Sequence, residues 1–256
     1  MAAEGSMRWL YKASNLRHVL STYSANNLRS KFVRTGVKLL SLLRLEKLFR
    51  DGTISIHSNI ELPYHNLVTS FDSCIVFMGT PGFQRKLTIA KIEGNLVESF
   101  IKIPLNYSSE TNNKNEKSSL DSLAGYCFES IKFPTDVYFD KDHNLFQSNE
   151  NDFKEQSNNL IPVYQNALIQ IAEKTLGHSK LGQTDFLSKI KNNLDLVGFS
   201  KFKNLESHVG ITKRMFESLN SNETILTSLC HGDFTPWNLK FKKYQAYIFA
   251  WDYTRV

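Results

Sequence analysis

Residues 226 to 241 read LTSLCHGDFTPWNLKF: a polar octet, His231-Gly232-Asp233-Phe234-Thr235-Pro236-Trp237-Asn238, between two short apolar runs. The flanking runs are too short for helices and predict strands, so the octet is a loop between strands. Asp233 and Asn238 stand five residues apart. A loop with this spacing can set a carboxylate as base on an attacking hydroxyl and an amide oxygen on Mg²⁺, and the two roles are complementary. The chain then continues through LKFKKYQAYIFAWDYTRV, so the final segment predicts strand, loop, strand, strand.

Upstream, residues 74 to 105 read CIVFMGTPGFQRKLTIAKIEGNLVESFIKIPL, short β-rich runs punctuated by glycine. They predict three antiparallel strands, about 74 to 79, 85 to 92 and 97 to 103, with turns at Gly79 to Gly82 and Glu93 to Asn95. Glycines at Gly79 and Gly82, either side of Thr80, let backbone N–H groups approach a phosphate closely, although such a turn is more often an ordinary hairpin. Arg85 and Lys86 adjoin it, facing either phosphate or water. Lys102 lies on the third strand between Ile101 and Ile103. A helix is expected from about Asn115 to Leu123, another strand in FPTDVYFD, and a flexible loop or interlobe link over residues 141 to 159. Three helices follow, within 160 to 177, 184 to 198 and about 206 to 220.

The loop HGDFTPWN resembles the H-G-D-x-x-x-x-N catalytic loop of the aminoglycoside phosphotransferase and choline kinase group, in its bacterial small-molecule or sugar-kinase branch. The resemblance implies an α+β, bilobal protein-kinase-like fold, with an antiparallel N-lobe sheet and a mostly helical C-lobe. It implies Asp233 as catalytic base, Asn238 as a metal ligand and His231 as the residue that supports the loop. The glycine turn and Lys102 would hold ATP. Asn115-Glu116 with Leu120 and Leu123 resembles the start of the family's N-lobe helix, whose glutamate holds the lysine, so Glu116 is matched to Lys102 with Glu110 as competitor. These parts occur in the order the fold requires. The implied activity is ATP-dependent transfer of phosphate to a hydroxyl of a small molecule or sugar.

Two departures qualify the match. The family places a metal-binding Asp on the strand after the loop, and in Ile248-Phe249-Ala250-Trp251-Asp252 that position is Ala250. Asp252 is the nearby carboxylate, two residues farther along, roughly 6 to 7 Å on a strand. The cofactors expected are therefore ATP and Mg²⁺, the metal held by Asn238 and Asp252. Related chains also continue into further C-lobe helices, so this one reads as truncated at its C-terminus. The expected division is a 1–70 extension, a 71–150 N-lobe and a 151–256 C-lobe. The alternative is a catalytically degenerate nucleotide-binding or scaffold protein.

Residues 26 to 50 read NNLRSKFVRTGVKLLSLLRLEKLFR, a basic amphipathic helix offset only by Glu46. Its wide apolar sector predicts packing on its own protein, with weak peripheral membrane contact as the competing role. The composition, 41% hydrophobic and 22% charged in 256 residues, excludes a disordered or collagen-like chain. No run reaches the roughly 18 apolar residues of a membrane span, so a cytoplasmic protein is expected. The net charge of +6 is dispersed along the chain and no RNA-binding aromatic signature accompanies it, so no nucleic-acid partner is expected. Cys74, Cys127 and Cys230 form no C-x-x-C pair and read as reduced and structural.

Overall fold

The computed structural model describes residues 9–22, 28–43, 45, 73–79, 81–153, 161–184, 187–192, 206–219, 221–235 and 238–251. The chain starts with strand β1 (Trp9–Tyr11), helix α1 (Leu16–Thr22) and helix α2 (Leu28–Leu42). Strands β2 (Cys74–Phe77), β3 (Lys86–Glu93) and β4 (Leu96–Pro104) follow, then helix α3 (Tyr107–Ala124). After these come β5 (Ile131–Lys132), β6 (Tyr138–Phe139) and β7 (Leu145–Ser148). All of these strands except β5 form a six-stranded sheet of order β1-β2-β3-β4-β7-β6. Every pairing in it is antiparallel.

Alternation along the strands gives this sheet two apolar faces. Cys74, Val76, Ile89, Ile101 and Ile103 bury on one side. Ile75, Ala90 and Val97 bury on the other, under Val19 of α1. Strand β1 lies within the 1–70 stretch and extends the sheet by pairing Trp9 with Phe77 and Tyr11 with Ile75.

Helix α3 begins eight residues earlier than the apolar spacing suggested, at Tyr107 rather than Asn115. Asn106 caps it: the Asn106 side chain accepts from the Ser109 N–H at 3.0 Å, and Ser109 Oγ accepts from the Asn106 N–H at 3.1 Å. Its buried residues include Ser109, Asn113, Glu116, Leu120 and Leu123, successive steps of three or four along one face. Leu120 and Leu123 reach a second core, shared with Ile131, Ala167, Ile171, Leu239, Phe241, Ile248 and Trp251. Each leucine stabilises by roughly 1.5–3 kcal/mol on burial.

That second core belongs to helix α4 (Ile161–Lys174) and to a hairpin of β10 (Leu239–Lys242) and β11 (Gln245–Ile248), after the small antiparallel sheet of β8 (Gly177–Lys180) and β9 (Thr224–Thr227). Strand β5 pairs in parallel with β11, Ala246 opposite Ile131. Helical backbone also occurs at 187–192 and in Glu206–Glu217. The chain thus combines an antiparallel sheet lobe with a largely helical lobe that carries a hairpin.

Three expectations need correction. The 141–159 stretch contains strand β7, because Leu145–Ser148 completes hydrogen bonding along the edge of β4. FPTDVYFD is not one strand: only Tyr138–Phe139 is extended in the sheet. Among the described residues the apolar sector of α2 is not buried as a whole, since Phe32 is 76% and Leu39 57% exposed. Of the cysteines only Cys74 is buried, and burial pushes its thiol pKa up, whereas Cys127 and Cys230 are exposed. No helix among the described residues is long and apolar enough to cross a membrane.

Candidate functional site

A first group of candidate residues lies in the turn between β2 and β3. Gly79 has φ 70°, and a Cβ there would fall 2.3 Å from the Lys86 carbonyl oxygen, so only glycine fits. Gly82, at φ 151°, also occupies a conformation that side chains rarely adopt. Arg85 Nε donates to the Met78 carbonyl at 2.8 Å and fixes the base of the turn. Thr80 lies outside the described residues. A cavity of about 410 Å³ opens beneath, lined by Gly79, Gly82, Arg85, Lys86, Thr88 and Asn112 among others.

Beside this cavity the structure joins the two residues matched from spacing. Lys102 Nζ donates to both carboxylate oxygens of Glu116 at 2.5 Å. Lys102 is 7% exposed and Glu116 is fully buried. Glu110 instead pairs with Lys114 one turn along the exposed side, which lowers its pKa through that hydrogen bond. Asn113, which sequence reasoning passed over, donates its amide to the Lys102 carbonyl at 3.0 Å and ties α3 to β4. Its Oδ1 is buried without a hydrogen-bond partner, as is Gln147 Oε1.

A second group of candidate residues lies in the loop between β9 and β10. His231 is buried, its ring 4.5 Å from that of Trp251, centre to centre. Its Nδ1 accepts from the Asp233 N–H at 3.3 Å, so Nε2 carries the proton and donates to the Phe249 carbonyl at 2.9 Å. Gly232 makes the turn possible with φ 78°. Asn238 Nδ2 donates at 2.9 Å to both the Asp233 carbonyl and Asp233 Oδ2. These bonds orient the Asp233 carboxylate. Tyr247 links the two lobes by donating to the Ser148 carbonyl at 3.3 Å, and burial, with the charge of Glu150 second, raises its hydroxyl pKa.

Ala250 stands in the left-handed region at φ 62°. Asp252 lies outside the described residues. Among the described residues no group of three His, Cys, Asp or Glu side chains could hold a metal ion. The donors on hand are the Asp233 carboxylate and the Asn238 amide, whose nitrogen is already engaged with that carboxylate. A magnesium ion needs near-octahedral oxygen coordination. The described residues offer it one carboxylate, that of Asp233, and the Asn238 amide oxygen, with waters and nucleotide phosphates to complete the shell.

No protein-family model and no curated protein matches the sequence. Solved structures do. The streptomycin–ATP–APH(2″)-IIa ternary complex superposes with a TM-score of 0.52 at 13% identity, over 79% of this chain and 72% of that one. The chain has the protein-kinase-like fold. The gentamicin–APH(2″)-IIa complex aligns at a TM-score of 0.48 and 12% identity, over 78% of this chain and 72% of that one. In the kinase-like frame the glycine turn, Lys102 and Glu116 belong to the sheet lobe, and His231, Asp233 and Asn238 to the loop that leads into the hairpin of the helical lobe.

Proposed function

We propose that the chain is an ATP-dependent phosphotransferase acting on a hydroxyl of a small molecule or sugar. The observation that carries it is the buried Lys102–Glu116 pair beside a glycine-walled cavity. Burying an ion pair is costly in itself, so a pair kept at a cleft points to an anionic ligand, here a nucleotide phosphate. The glycine turn and Lys102 bind and orient the nucleotide. Asp233, oriented by Asn238, takes the proton of the acceptor hydroxyl. The hydroxyl oxygen then bonds the γ-phosphorus as its bond to the β–γ bridging oxygen breaks, and ADP leaves.

The frame is a sheet lobe over 71–150 with strand β1 added, a helical lobe over 151–256, and an extension that includes α2. Aminoglycosides, which the two solved neighbours hold, are the first acceptors to try. The test is an acceptor-panel assay by ³¹P NMR on the native chain and Asp233→Asn. Turnover that drops by several powers of ten in the variant supports the proposal. Turnover indifferent to Asp233 overturns it.

Ala250 favours a second reading, a nucleotide-binding protein without transfer activity. Its signature is ATP binding with no phosphorylated product for any acceptor. A weak peripheral contact of α2 with anionic lipid is also proposed, on exposed Lys38 with exposed Phe32 and Leu39. Vesicle co-sedimentation checks it, and binding equal on neutral and anionic vesicles would refute it.

A further inference from the structure

We propose that Gln147 is the residue that reads the nucleobase: its side-chain amide accepts a hydrogen bond from the exocyclic amine of adenine, and so sets the preference of the cleft for ATP over purine nucleotides that lack that donor. The proposal rests on the nucleotide reading above and goes beyond it by naming the residue that selects the base.

Strand register places Gln147 on the cleft face of the sheet. Between β4 and β7, Lys102 lies opposite Leu145 and Phe100 opposite Gln147. Between β3 and β4, Thr88 lies opposite Lys102 and Ala90 opposite Phe100. Residues paired across strands share a face, and every second residue along a strand returns to it. Gln147 therefore stands on the face where Lys102 meets Glu116 and where Lys86 and Thr88 line the cavity. The opposite face carries Val76, Ile89, Ile101 and Phe146. Strand β4 reaches the glycine-turn end of the sheet at Pro104, opposite Lys86, so Phe100 and Gln147 lie farther from the turn than Lys102 by two residues, about 6–7 Å. A nucleotide laid along this face, with its phosphates at the turn and Lys102, brings its base to Phe100 and Gln147.

Gln147 is 5% exposed, and its Oε1 is buried with no hydrogen-bond partner. Leaving a buried amide oxygen unmatched is costly, and a leucine or methionine of similar size would avoid the cost. The neighbouring amides are matched: Asn149 Nδ2 and Asn151 Nδ2 each donate to the Val97 carbonyl at 2.8 Å. Asn113, whose Oδ1 is also unmatched, still ties α3 to β4 through its nitrogen. Among the described residues the Gln147 side chain makes no such bond. A buried amide kept on the cleft face without a structural bond points to a ligand that supplies the donor.

Adenine fits the place. Its N6 amine is a donor, and a glutamine amide can meet the N6 and N7 edge of adenine with paired hydrogen bonds. Guanine presents O6 where adenine presents N6, which sets acceptor against acceptor at Oε1. The half-buried Phe100 ring beside Gln147 offers the base an apolar surface. The residues just beyond Gln147 are braced from both lobes. The Ser148 carbonyl accepts from the Tyr247 hydroxyl at 3.3 Å, the Asn149 N–H donates to the Glu98 carbonyl at 2.9 Å, and Asn149 Oδ1 accepts from Lys240 Nζ at 3.2 Å. That bracing holds the amide in one place, which reading a base edge requires.

The experiment is calorimetric titration of the full chain in Mg²⁺ with ATP, GTP and purine riboside triphosphate, which is ATP without the amine, for native protein, Gln147→Leu and Gln147→Met. Native protein should bind ATP about tenfold more tightly than either analogue, the worth of one desolvated hydrogen bond. Both variants should bring purine riboside triphosphate within about threefold of ATP, and should melt no lower than native protein because the unmatched oxygen is gone. The ratio between ligands is the readout, since a merely structural Gln147 would shift all three affinities together. Native protein that binds GTP or purine riboside triphosphate within about threefold of ATP overturns the proposal, and this arm needs no variant to fold. So does a folded variant that keeps the native ratio. Native protein that binds none of the three overturns the nucleotide reading instead.

Discussion

A Glu116→Gln substitution keeps the size of the side chain and removes the charge that neutralises Lys102. Glu116 is fully buried and Lys102 is 7% exposed, so the ammonium left behind cannot turn to water without disturbing β4. Removing one partner of a buried pair costs about 3–5 kcal/mol, because the other charge stays desolvated. For a chain of this size that lowers the melting midpoint by roughly 6–20 °C. Lys86 does not compensate, since it too loses the carboxylate 4.0 Å away. The assay is urea and thermal unfolding of native protein, Glu116→Gln, Lys102→Met and the double variant. The double variant should be more stable than Glu116→Gln alone, as it leaves no buried charge unmatched. A Glu116→Gln protein within about 1 kcal/mol of native, or a double variant no better than the single, would refute a buried and coupled pair.

Gly79→Ala should destabilise by at least about 2 kcal/mol, from the left-handed backbone and the collision with the Lys86 carbonyl, and should weaken ATP; an unchanged melt would show that the turn relaxes freely. Ala250→Asp should fold normally, since Asp tolerates the φ of 62° well, and should give ATP affinity a Mg²⁺-dependent gain by calorimetry; no gain would place residue 250 away from the phosphates. Burial, then the neighbouring Arg17, lowers the pKa of His18. Its unfolded form therefore binds a proton more readily, and stability should fall as pH drops below about 6.5. Urea titrations at pH 7 and pH 5 should show a smaller difference for His18→Gln than for native protein, and an identical difference would remove His18 from the acid response.

Most was legible where a short motif fixes the local backbone. The loop over 231–238, the glycine turn and the Lys102–Glu116 pairing could be read because each sits in a short motif with fixed spacing. The start of α3 was not legible, and the reason is physical. Its buried face opens with Ser109, Asn113 and Glu116, polar residues that bond to the cap, to the Lys102 carbonyl and to the Lys102 ammonium in turn, so a search for apolar periodicity begins only at Leu120. The signal that was available is the Asn106 and Ser109 capping pair. Strands β1 and β7 were missed because three or four residues carry no period of their own. Their identity comes from partners distant in sequence, Ile75–Phe77 for β1 and Ser99–Lys102 for β7. Lys86 was visible as a neighbour of the turn, but only strand register shows that it shares an anchor with Lys102.

Because Glu116, Leu120 and Leu123 share one face of α3, that helix behaves as a rigid pin through both halves of the molecule. A tilt that draws Glu116 away from Lys102 must also lever Leu120 and Leu123 against Trp251, the residue whose ring backs His231. Opening the cleft therefore cannot be a private event of the sheet lobe. A mutation such as Leu123→Ala, in the second core, would loosen the seat of the pin and be sensed at Lys102 and at the loop that carries His231 together.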